Sequence, residues 1–138
     1  MLIMSGIFKK LKNLSYRLGN MNDKIPMFNS YNRYKDKCLK VLNNALEWNI
    51  KNLPNNTLDL QIEKIGKNID DVINAENYQK QVEKLTDVLI SIGGVARFDE
   101  EKAVDIFNEF VISLDRFIFM DVIDYVEQKF KMLFQNVN

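Results

Sequence analysis

From Asp99 to Phe134 the chain runs without a glycine or a proline. Apolar residues recur along that run at intervals of three and four: Ala103, Ile106, Phe107, Phe110, Leu114, Phe117, Ile118, Val122, Tyr125, Val126, Phe130 and Leu133. Such spacing belongs to helices that turn one face to a core. One helix over the whole run would be unusually long for a globular protein. The periodicity therefore predicts aromatic-rich C-terminal helices over 99–134, with a break between Arg116 and Asp121. Nowhere is the period-2 alternation of a half-buried strand sustained. Only 5 Gly and 2 Pro occur in 138 residues, which is too little turn material for many short strands.

The same periodicity extends upstream. Ser5 can cap a first helix, on which Ile7, Phe8, Leu11, Leu14 and Leu18 share a face and Gly19 marks a stop. A second helix is expected from about Asn29 to Asn52, carrying Tyr31, Tyr34, Cys38, Val41, Ala45 and Trp48, and "NLPNN" ends it. Asn56 or Thr57 can cap a third, in which Leu58, Ile62, Ile65, Ile69 and Val72 repeat at heptad-like spacing. The chain turns or bends near Asn74, and Tyr78, Val82, Leu85, Leu89 and Ile92 mark a fourth stripe. In "ISIGGVARFDEE", residues 90–101, Gly93 and Gly94 are expected to stop that helix and Asp99 to start the next, with Glu100 and Glu101 at its positive end. The expected fold is all-α, one domain over 1–138 built as a compact bundle of five or six helices with short loops.

Composition removes much chemistry. The chain has no histidine and one cysteine, Cys38. Triads built on histidine are impossible, a structural zinc site is nearly excluded, and no intramolecular disulfide can form. The glycine pair lacks the lysine and hydroxyl that a Walker-type loop needs, and it follows a helical pattern rather than a strand. Glu101, Asp105 and Glu109 lie four apart and could line up on magnesium, but an ordinary acidic face has the same pattern. The second acidic set, Asp121, Asp124 and Glu127, does not complete a hydrolase motif. Cys38 falls on an apolar stripe without a histidine to activate it, so it reads as a small buried hydrophobe. The sequence thus predicts no enzymatic activity, no cofactor, no metal site and no small-molecule substrate.

No membrane span is expected, because Asp105, Glu109, Asp115 and Arg116 interrupt the most apolar run. "MLIMSGIF" is followed rather than preceded by its charges, unlike a secretory leader, and Met4 offers a second start. A cytoplasmic location follows as the expectation. Net charge is zero, yet residues 1–69 hold 12 Lys/Arg against 5 Asp/Glu and residues 70–138 hold 7 against 14. The halves can attract each other within one bundle, or the basic half can meet an anionic partner. Within 1–22, a basic amphipathic segment, Lys9, Lys10, Lys12 and Arg17 are candidates for contact with an anionic membrane surface or nucleic acid, or for plain solvation on a docked helix. Lys35, Lys37 and Lys40 lie among Tyr31, Tyr34 and Trp48, a pattern that suits stacking on bases or, more simply, core packing.

Phe110, Phe117, Phe119, Met120, Phe130 and Phe134 are candidates for a partner or oligomer surface, since Ile118, Phe119 and Met120 make their stretch apolar nearly all round, a pattern that equally suits a helix at the centre of the bundle. The stretch "LISIGGVARFDEEKAVDIFNEFVISLDRFIF", residues 89–119, resembles the central helical hairpin of the apoptosis regulators and their poxviral relatives. Of the Asn-Trp-Gly-Arg signature of the cellular members only Gly94 and Arg97 have counterparts, at a different spacing. That resemblance implies a helical bundle binding an amphipathic helix in a groove. The leading expectation is a non-enzymatic protein-interaction module with an inhibitor, immunity or assembly role, engaging a protein partner or itself. The Asn/Lys/Ile-rich composition suits a phage, virus or low-GC bacterium.

Overall fold

A computed structural model describes residues 2–17, 35–114 and 116–135, without the side chains at the edges of these segments. The described residues form six helices and no strand: α1 (Leu2–Arg17), α2 (Lys35–Asn52), α3 (Leu58–Ile73), α4 (Tyr78–Val95), α5 (Glu100–Ile112) and α6 (Arg116–Gln135). The architecture is an all-α bundle, as the periodicity predicted.

Three of the boundaries are set by side-chain caps that supply the acceptors a helix start lacks. Thr57 accepts from the Leu60 amide at 3.2 Å, Asn77 from Lys80 at 2.9 Å and Asp99 from Lys102 at 3.1 Å. Thr57, rather than Asn56, is therefore the cap of α3, and the chain turns fully at Asn74. Helix α1 begins at Leu2, so Ser5 lies within it rather than at its start. The second helix is described only from Lys35, so Tyr31, Tyr34, Gly19 and the rest of 18–34 lie outside the described residues.

The break between the last two helices falls earlier than Arg116–Asp121. Helix α5 ends at Ile112, and α6 is already under way at Arg116. At the break the Ser113 amide closes on the Glu109 and Phe110 carbonyls, and its one hydroxyl hydrogen is shared between the carbonyls of Glu109 at 2.7 Å and Leu11 of α1 at 2.9 Å. A serine hydroxyl bonding back to the previous turn competes with helix continuation.

Helix α4 is the centre of the bundle and packs on α2, α3, α5 and α6, while α1 lies across α3 and α5. Every residue from Val88 to Val95 is buried. Gly93 and Gly94 do not stop this helix; they lie inside it. A Cβ at Gly93 would sit 2.4 Å from Ala45 Cβ, and one at Gly94 would sit 2.4 Å from Gln61 Nε2. The glycines are therefore notches that let α2 and α3 approach the α4 backbone. The helix ends beyond them, where the Phe98 and Asp99 amides return to the Val95 carbonyl at 3.0 Å.

Candidate functional site

The amides that press into the glycine notch form a closed polar cluster. Asn49 of α2 donates to the carbonyls of Ala45 at 2.8 Å and Ile90 at 2.9 Å. Gln61 of α3 donates to Ser91 O at 2.8 Å and to Asn49 Oδ1 at 3.2 Å, and its own oxygen accepts from Asn56. Asn68 donates to the Ser91 hydroxyl at 2.7 Å, which passes its hydrogen to Asp87 O at 2.9 Å. Asn49, Gln61 and Ser91 are each at most 2% exposed. Their partners matter, because an unpaired buried amide costs far more than a bond contributes. Arg97 adds a second tie, donating to Leu53 O at 2.6 Å and Pro54 O at 3.0 Å just past the end of α2. The side-chain N–H groups of Asn49 and Gln61 are all spent inside the cluster, while Asn68 and Ser91 also line a cleft beside Trp48.

The predicted cationic set divides. Lys9 and Lys12 are exposed. Lys10 instead reaches Asp70 at 2.8 Å on α3. Arg17 belongs to α1, but its side chain lies outside the described residues. Ile7, Leu11 and Leu14 are at most 4% exposed, so the apolar face of α1 is committed to the core. Elsewhere Lys37 pairs with Asp124 at 3.0 Å and Glu127 at 3.4 Å, and its hydrogen bond to Asp124 holds the ammonium above its ordinary pKa despite partial burial. These bonds join the basic and acidic halves of the chain within one bundle.

The predicted aromatic surface is corrected in large part. Phe110, Phe119 and Phe130 are at most 1% exposed, among the largest fully buried side chains of the chain's own core. The helices that carry them both pack on α4, a neighbour that no local pattern in their own segment identifies. Met120 is half-buried, and the side chain of Phe134 lies outside the described residues. Among the described side chains of the set, Phe117, 61% exposed, is the one that stands at the surface.

Phe117 is not alone among the exposed apolar residues of the carboxyl-terminal helices. On α5, Val104 is 53% and Ile112 46% exposed. Both fall out of phase with the buried stripe of Ala103, Ile106, Phe107 and Phe110, and that phase was the available signal. Glu101, Asp105 and Glu109 share this outer face, all exposed, with no ion-pair partner among the described residues. They are not a metal-holding cluster: no group of three or more Cys, Asp or Glu side chains among the described residues could hold a metal ion. Nor is any described helix long and apolar enough to cross a membrane.

Other reactive groups are quiet. Cys38 is buried, and desolvation pushes its thiol up to about 11 from 9.0, leaving it protonated at neutral pH. Trp48 is half-buried, with Lys64 Nζ 5.9 Å from its ring centre, at the edge of a cleft of about 170 Å³ that also touches Asn68, Asp87 and Lys129. A cleft of this size falls below the usual range for small-molecule sites. Set against known proteins, the chain matches no protein family, no curated protein and no solved structure.

Proposed function

We propose that this chain is a non-enzymatic protein-interaction module whose partner-facing surface is the outer face of α5 together with the start of α6. The observation that carries the reading is the exposure of Val104 and Ile112 among Glu101, Asp105 and Glu109 on the outer side of α5, with Phe117 exposed at the start of α6. Apolar contact area with a charged rim is the usual make-up of a recognition surface. Inhibition of another protein, immunity and assembly all fit such a surface, as does a cytoplasmic location. The groove-binding mode implied by the apoptosis-regulator resemblance is one form of the same reading. Contact with an anionic membrane through α1 is less favoured, since insertion would withdraw Ile7, Leu11 and Leu14 from the core.

The test compares affinity capture from source-cell lysate by the wild type and by the triple variant Val104→Ser, Ile112→Ser, Phe117→Ser, with circular dichroism to confirm folding. Proteins retained by the first and lost by the second are expected. An identical set retained by both would refute the assignment of this face.

A further inference from the structure

The start of α4 and the middle of α6 border a pocket of about 280 Å³. Helical spacing builds both walls. Tyr78 and Val82 stand four apart on α4, and Asp121, Asp124 and Tyr125 follow at three and four on α6. Gln79 and Gln128 make up the rest, and among the described residues no lysine or arginine lines the pocket. The lining therefore offers two carboxylates, two phenol rings, two amides and a buried valine. Its two carboxylates are answered differently. Lys37 reaches across from α2 and sets its ammonium on Asp124 at 3.0 Å. Asp121, one turn earlier on α6, has no ion-pair partner among the described residues and accepts instead from the Tyr78 hydroxyl. A neutral hydroxyl leaves the negative charge of Asp121 in place. Tyr125 senses further acids: burial first, then the charges of Glu83 and Asp87, hold its phenol above the ordinary range, with Lys80 opposing.

We propose that this pocket binds an alkylammonium ion, its N–H groups on Asp121 and its methylenes against Tyr78, Val82 and Tyr125. Aromatic rings attract cations, and a carboxylate that accepts from an ammonium makes a charge-assisted hydrogen bond. The chain already makes this pairing once, with Lys37 on Asp124. An anion would meet two carboxylates and no cation in the lining. A hard dication needs more oxygen ligands than the site gathers, and no group of three or more acidic side chains among the described residues could hold one. The volume lies just under the usual range for drug-sized ligands, which suits an amine of few heavy atoms. The ammonium can belong to a free amine or to a lysine side chain; the chemistry is the same. None of this depends on the reading of the outer face of α5.

The experiment is an NMR titration of the full chain at constant ionic strength, following the backbone amides of Tyr78, Gln79, Asp121 and Tyr125. With n-butylammonium chloride these amides are expected to shift and saturate. With 1-butanol, of the same length but uncharged, they should not. Asp121→Asn should bind n-butylammonium about tenfold more weakly, the usual loss for a hydrogen bond to a charged group. Tyr78→Phe keeps the ring and removes the hydroxyl that competes for Asp121, so it should bind at least as tightly as the wild type. Lysine capped at both backbone ends separates the sources. Shifts of the same amides would admit a lysine side chain to the pocket, and shifts with n-butylammonium alone would restrict it to free amines. The proposal is overturned if n-butylammonium gives no saturable shift at these amides, or if 1-butanol shifts them equally. It is overturned too if Asp121→Asn binds as the wild type does. Should that variant fail to fold, the comparison of n-butylammonium with 1-butanol on the wild type still decides.

Discussion

The carboxyl-terminal end of α4 and the outer face of α5 are separated by only a few residues, yet they handle polar groups in opposite ways. At the end of α4, Asn49, Gln61 and Ser91 are buried and every bond they make stays inside the chain. On α5, Glu101, Asp105 and Glu109 point to water beside Val104 and Ile112. The first region is dictated by the fold, because a buried amide tolerates no alternative. The second is not: like charges four apart slightly oppose the helix, and exposed valine and isoleucine contribute little to it. A face the fold does not require is where a partner's requirements can be met.

The sharpest way to break this comparison is at Gly93. A Cβ there would meet Ala45 Cβ at 2.4 Å and the Leu42 carbonyl at 3.2 Å, neither of them the end of a flexible side chain. Gly93→Val should cost about 3 kcal/mol or more through overpacking. Gly66 is the control, since its nearest neighbour to a Cβ is Ile7 at 3.5 Å. There Gly66→Ala should stabilise by about 0.5–1 kcal/mol from helix propensity. Urea midpoints give both values. If both substitutions shift them alike, the notch carries no packing.

Next in size is Gln61→Ala. It leaves Asn49 Oδ1 without the donor that holds it at 3.2 Å, in a site sealed from water. The expected loss is about 2 kcal/mol. Asn56→Ala, removing a half-buried amide from the same cluster, should cost less than about 1 kcal/mol, because water can replace it. Equal losses at the two positions would mean that the cluster is not graded by burial.

These residues also show what the sequence made legible. Periodicity placed five of the six helices near their observed ranges, and Asp99 was correctly read as a cap, because both signals are local. The glycine pair was misread for a physical reason. Glycine serves both as a helix stop and as a site of close approach, and only the position of a neighbouring helix decides which. Gln61 was passed over although it precedes Ile65 by four residues, in phase with the buried stripe; Asn49 likewise follows Val41 and Ala45 at four-residue steps. Chemistry-based reading treats amides in an asparagine-rich chain as surface. Phe110, Phe119 and Phe130 were assigned to a partner surface although the chain buries them itself, because the helix on which their own helices pack, α4, was not identifiable from their segment.

Between the two regions stands Asp99, whose carboxylate accepts from the Lys102 amide at 3.1 Å and starts α5. Asp99→Ala should cost about 1 kcal/mol, and Asp99→Asn only a fraction of that, since asparagine caps nearly as well. Thermal melts of the three proteins would separate the cap's contribution from that of its charge. A loss as large with asparagine as with alanine would place the effect in the charge alone.

The smallest expected effect is the most telling for α5. Asp105→Lys puts a cation four residues after Glu101 and four before Glu109, replacing two like-charge neighbours with two attractive ones. Glutamate preceding lysine by four is the favoured order. Stability should rise by a few tenths of a kcal/mol at low salt, and the gain should fade as salt is added. The opposite sign would be decisive. A loss above about 1 kcal/mol would mean that Asp105 already has work inside the fold, and the outer face of α5 would then be no more open to a partner than the amides buried against α4.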